Sequence, residues 1–163
     1  MSMAPDEICR RLGEAWFREH FQQLTTAQMK EGLSDAKIPT VRAPGQMSTR
    51  KRNEEWARRM WRSLPTPTNK IGGYVLYQWL SRHRNEMMGA FLDALGVAHN
   101  AGLTEEDFWP RVDDEKLLAA ARALLDSGRF DRKEVAAYLL FLEAQHQTDR
   151  LAPLRLAELL PPA

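Results

Sequence analysis

Between Val135 and Leu142 eight consecutive residues are apolar, V-A-A-Y-L-L-F-L. Successive helical positions turn by roughly 100°, so such a run makes every side of a helix apolar and leaves no face for water. Asp131 and Glu134 precede it as a D-x-x-E capping box, in which each side chain satisfies a backbone N–H of the first turn. The pattern predicts a helix over 131–146 that must be sheathed by other helices, and this helix is the expected centre of the fold.

Elsewhere apolar residues recur at intervals of three and four, the amphipathic-helix period. Pro5 and Asp6 open a helix carrying Ile8, Leu12, Ala15, Trp16 and Phe17, and Thr25 or Thr26 caps a second one running to Ala36. Residues 1–36 therefore read as an N-terminal helical hairpin. Residues 37–48 hold Pro39, Pro44 and Gly45 and show no period, so they read as a loop. Ser48 or Thr49 starts a helix over 49–63 whose apolar stripe is Trp56, Ala57, Met60, Trp61 and Leu64. Pro65 and Pro67 forbid its continuation.

Residues 70–147 read as the helical core. A long helical stretch over 70–96 contains a polar break between Arg82 and Asn85, and the adjacent Gly72 and Gly73 weaken its start. Each glycine costs ~1 kcal/mol relative to alanine, a cost that the close approach of another helix would explain. After an H-N-A-G turn, Thr104 is expected to cap a short helix stopped by Pro110. Asp113 or Asp114 then starts a helix with Leu117, Leu118, Ala121, Leu124 and Leu125 on one face, closed by Gly128. The short turn that follows makes this helix antiparallel to the one over 131–146. Residues 148–163 form a tail with an amphipathic piece from Leu154 to Leu160. No stretch alternates at period two, and no Asn-Gly or Asp-Gly hairpin turn is present. The expected fold is all-α: a single-domain bundle of six to eight helices spanning 1–163.

Composition supports a folded chain, with 44% hydrophobic and 28% charged residues in 163. The single cysteine, Cys9, excludes an internal disulfide, and the charged N-terminal sequence lacks a secretory h-region. A cytoplasmic protein without a membrane span is the expectation. Charge is uneven: residues 1–84 hold 15 Lys and Arg against 8 Asp and Glu, whereas residues 85–163 hold 8 against 14. Either the two halves neutralise one another, or a basic surface meets an acidic partner.

The densest positive charge lies at 42–62, where Arg42, Arg50, Lys51, Arg52, Arg58, Arg59 and Arg62 face only Glu54 and Glu55. Guanidinium groups clamp carboxylates or phosphates bidentately, and a tryptophan beside them can fill a partner pocket or stack on a base. The expected binding residues are Arg50, Lys51, Arg52, Trp56, Arg58, Arg59 and Arg62. The leading function is a non-enzymatic interaction module that presents this helix to an acidic protein. Nucleic-acid binding through the same arginines is the first alternative. Against both stands plain packing, with Trp56 and Trp61 anchoring the helix and the arginines solvated.

A metal-binding or enzymatic bundle is the remaining alternative. Glu143 with His146 forms E-x-x-H and His83 with Glu86 forms H-x-x-E, each an i, i+3 pair, with His99 as a further imidazole. Di-iron bundles need two E-x-x-H motifs and two more glutamates, and only one such motif is present. An EF-hand reading of the loop around Gly102 places Val97, His99, Ala101 and Phe108 at ligand positions, which excludes calcium there. Cys9 fits a small core thiol better than a nucleophile, and no nucleophile elbow, P-loop or dinucleotide turn occurs. No cofactor or metal is expected.

Overall fold

A computed structural model describes residues 2–40, 48–64 and 70–163. Among the described residues it is all-helical, with eight α-helices: α1 Pro5–Leu12, α2 Glu14–Phe21, α3 Thr26–Asp35, α4 Thr49–Arg62, α5 Ile71–His83, α6 Asn85–Leu95, α7 Asp114–Asp126 and α8 Arg132–His146. Short 3-10 turns occupy Trp109–Arg111, Ala152–Leu154 and Leu156–Leu159. Most of the expected loop at 37–48, including Pro44 and Gly45, and Pro65 to Asn69 lie outside the described residues. The chain divides into two compact units, residues 5–78 and residues 79–162, with the division falling inside α5. No described helix is long and apolar enough to cross a membrane.

In the 5–78 unit, three helices stand where the sequence predicts a two-helix hairpin. Gly13 takes φ 106, a conformation that L side chains rarely adopt, and this ends α1 and restarts the chain as α2. The interruption turns Ala15 to solvent while Phe17 and Phe21 stay fully buried. Thr25 caps α3 with a complete capping box: its hydroxyl accepts from the Gln28 N–H, and the Gln28 side chain accepts from the Thr25 N–H. Ser48 caps α4, whose Trp56, Ala57 and Met60 face inward with Leu64.

Gly72 is where α5 meets α1. Its N–H donates to the buried Asp6 carboxylate at 3.1 Å and its carbonyl accepts from the Cys9 thiol at 3.6 Å. A methyl group at Gly72 would lie 2.7 Å from the Asp6 nitrogen and 2.8 Å from the Pro5 carbonyl carbon. Around Gly73 the same methyl would meet nothing within 4 Å. The paired glycines thus have different reasons: one permits a close helix approach and the other does not. Gly32 of α3 makes room for Ile71 in the same way.

In the 79–162 unit, Arg84 interrupts the long helical stretch at the predicted break and separates α5 from α6. Gly96 at φ 70 closes α6, and the Val97 N–H returns to the Leu92 carbonyl. Asp113 caps α7 by accepting from the Lys116 N–H. Asp131 caps α8 by accepting from the N–H groups of Lys133 and Glu134. The reciprocal half of that capping box is absent, because the Glu134 carboxylate instead grips the Arg84 guanidinium through two contacts, one of 2.9 Å. Residues 135–143 of α8 are buried without a break. α8 packs against α7 and against the Leu156–Leu159 turn, where Leu151, Leu156 and Leu160 are also buried.

The predicted helix from Thr104 does not form. The Thr104 hydroxyl donates to the Glu106 carbonyl, and Asp107 accepts from the Trp109 N–H, so side chains take the groups a helix would pair. Pro110 instead sits in the first positions of the Trp109–Arg111 turn. The H-N-A-G segment folds as a two-residue turn: Asn100 and Leu103 exchange both backbone hydrogen bonds, while Ala101 and Gly102 have φ 51 and φ 81. Positive φ at both central residues is the type I′ signature, reached here with Ala-Gly in place of Asn-Gly.

Candidate functional site

Helix α4 carries every binding residue expected from the sequence, but it uses them unequally. Lys51, Glu55, Arg58 and Arg62 fall at i, i+4, i+7 and i+11, which places them along one face. Glu55 stands in the middle and takes two guanidinium groups, Arg58 at 2.9 Å with a second short contact, and Arg59 at 3.0 Å. Those hydrogen bonds, Arg58 first and Arg59 second, lower the Glu55 carboxyl to about 2. The same bond raises Arg58. Arg50 leans on Glu54 at 3.2 Å but keeps 88% of its side chain in solvent. No carboxylate among the described residues forms an ion pair with Lys51 or Arg62, and both are exposed.

Trp56 is only 6% exposed, and the Arg52 guanidinium lies 4.5 Å from the centre of its ring while reaching the Asn53 side-chain oxygen. This cation–π contact holds the Arg52 guanidinium over the indole. Trp61 is half-buried between Phe17, with ring centres 5.8 Å apart, and the Arg10 guanidinium at 5.3 Å. Both tryptophans therefore hold α4 to the 5–78 unit, and it is the cations that face water. Arg42 lies outside the described residues.

The glutamate–histidine pairs are engaged elsewhere. Glu143 is 4% exposed, and its carboxylate accepts the Leu151 N–H at 2.7 Å. Burial, first among the causes, raises its carboxyl above the ordinary value of 4.5. The His146 ring stacks on Trp109 at 5.1 Å, with its nitrogens against the Leu142 carbonyl at 2.8 Å and Asp107 at 2.9 Å. His83 ends α5 and Glu86 lies within α6, so the helical i, i+3 geometry is broken between them. Among the described residues no group of three or more His, Cys, Asp or Glu side chains is placed to hold a metal ion. Cys9 is fully buried, and burial followed by the charge of Asp6 pushes its thiol well above the ordinary value. A thiol held protonated is a poor nucleophile.

A second feature was not foreseen from the sequence: a cleft of about 510 Å3 built from residues 97–112. Val97, Leu103, Phe108 and Val112 supply its apolar lining, and His99, Glu105, Glu106 and Arg111 its polar edge. His99 is fixed at both nitrogens, accepting the Gly102 N–H at 3.0 Å on Nδ1 and meeting Asp93 at 2.7 Å through Nε2. Gly102 is packed so tightly on α6 that a methyl there would lie 2.6 Å from Met88 Cβ and 3.0 Å from the Asn85 carbonyl oxygen. Arg150 ties the opposite wall by donating to the carbonyls of Trp109 and Val112 and to Asp114. The only sequence signal was the glycine of the H-N-A-G turn. Compared with family models, curated proteins and solved structures, the chain matches none.

Proposed function

We propose that residues 5–78 act as a non-enzymatic binding module that offers the outer face of α4 to an acidic segment of another protein. The observation that carries this reading is the stripe of Lys51, Arg58 and Arg62 along the face of α4 that turns away from the buried Trp56. The unit holds 13 Lys and Arg against 8 Asp and Glu, a net charge of +5 that would draw an acidic partner toward it. Nucleic acid is the less favoured occupant, because single strands bind on exposed aromatic rings and Trp56 is covered by Arg52.

Each exposed ion pair contributes only about 0.2–1 kcal/mol, so the contact is expected to be weak and salt-sensitive. In the same reading α8 is the centre around which residues 79–162 are organised, and the protein works in the cytoplasm. Fluorescence anisotropy with a labelled glutamate-rich peptide and a labelled single-stranded oligonucleotide tests the proposal. Peptide binding that weakens with salt and is lost in Lys51→Glu/Arg62→Glu supports it. Binding of the oligonucleotide alone transfers the face to nucleic acid, and binding of neither at low salt removes the function.

A further inference from the structure

We infer that the cleft at residues 97–112 recognises a short peptide bearing one large apolar side chain flanked by lysine or arginine. The cleft shares no residue with α4, and its shape, rigidity and charge select the ligand. Its volume of about 510 Å3 lies in the ~300–1,000 Å3 range of ligand sites, enough for one bulky side chain with its neighbouring backbone. Leu103 is 40% exposed at the cleft, one of two large apolar side chains left so open among the described residues. An apolar anchor from a partner would cover it.

Two parts of the wall are braced before any anchor arrives. The Ala101–Gly102 turn is pinned to α6 through His99 and Gly102, and Arg150 holds the Trp109 and Val112 carbonyls. A preformed site spares the entropy of ordering loops on binding.

Charge selects the flanking residues. Glu105 lies at the cleft, exposed, and no cation among the described residues forms an ion pair with it. Glu106 pairs with Arg111 at 2.6 Å, but both side chains are at least 70% exposed, so an incoming cation can replace that partner at little cost. The 79–162 unit holds 10 Lys and Arg against 14 Asp and Glu, which favours a cationic partner. With two carboxylates, Glu105 and Glu106, against the one Arg111 guanidinium at this edge, an acidic peptide meets net repulsion and is disfavoured.

The test uses the full chain, amide NMR spectra and three capped pentapeptide probes: Ala-Lys-Leu-Lys-Ala, Ala-Lys-Ala-Lys-Ala and Ala-Glu-Leu-Glu-Ala. The lysine–leucine probe is expected to bind saturably, with shifts centred on residues 97–112. The other two probes are expected to bind about tenfold or more weakly, as loss of an anchor or reversal of a rim charge requires. Leu103→Asp and Glu105→Lys alter exposed side chains and should leave the circular dichroism spectrum unchanged while weakening the lysine–leucine probe by a similar factor. Lys51→Glu/Arg62→Glu should bind it as the unaltered protein does, which separates this site from α4. No saturation at millimolar probe, equal binding of the glutamate probe, or shifts centred on α4 would each overturn the inference.

Discussion

Replacing Gly72 by alanine should destabilise the protein, although helix propensity alone calls for the opposite. Gly72 lies in the first turn of α5, where alanine stabilises a helix by up to ~1 kcal/mol. Its methyl, however, would fall within contact distance of the Asp6 carboxylate and 2.7 and 2.8 Å from the backbone of Asp6 and Pro5. Backbone cannot rotate away, so α1 and α5 must separate. Overpacking of this kind costs about 1–3 kcal/mol. The separation also stretches the hydrogen bond from the Gly72 N–H to the buried Asp6 side chain, a bond of the class worth about 1.5–3 kcal/mol. Subtracting the propensity gain leaves a net loss of roughly 1.5–5 kcal/mol.

Gly73→Ala supplies the internal control, because its methyl meets nothing within 4 Å and only the propensity term of up to ~1 kcal/mol in favour of alanine remains. Urea unfolding followed by tryptophan fluorescence should show the midpoint fall for Gly72→Ala and hold or rise for Gly73→Ala, with the slope unchanged. A Gly72→Ala protein as stable as the unaltered one would refute the close approach of α1 and α5.

Leu139→Ala removes a fully buried side chain from α8 and should cost about 2–5 kcal/mol in the same assay, so a loss under ~1 kcal/mol would contradict its packing. Glu143 has a folded-state pKa raised above the unfolded value, so the protein loses stability as pH rises from about 4.5 through the folded value. Glu143→Gln keeps an oxygen for the Leu151 N–H and does not titrate; its stability relative to the unaltered protein should therefore climb between pH 4.5 and pH 7.5, and a flat difference would exclude the burial effect. Cys9 should resist a thiol reagent at neutral pH in the folded protein and react stoichiometrically in denaturant; fast native labelling would show that α1 opens readily.

Features set by local chemistry were legible in the sequence. Asp113, Asp131 and Thr25 cap the helices they were expected to cap, the apolar run of α8 is buried throughout, and the chain breaks at Arg84 as the polar segment implied. What escaped depends on partners distant along the chain. Glu134 gives up half of its capping box because Arg84, fifty residues earlier, offers a charged grip. The helix expected from Thr104 yields to side-chain bonds from Thr104 and Asp107 and to the burial of Trp109. Gly13 marked a break that the surrounding amphipathic pattern concealed. For α4, the sequence displayed the cations but not that Glu55 would take two of them or that Trp56 would lie beneath Arg52. The cleft had no sequence signature beyond the glycine of the H-N-A-G turn, since its lining converges only after the Ala101–Gly102 turn has formed.

The Arg150 tie gives synthesis of the chain a timetable. A ribosome makes Trp109 and Val112 forty-one and thirty-eight residues before it makes the guanidinium that secures their carbonyls. Until that late residue emerges, one wall of the cleft lacks its fastening and the carbonyls must be hydrated. A nascent chain arrested before residue 150 would therefore carry an unfinished pocket, and proteolytic nicking at 104–112 is the lesion to look for in such arrested products.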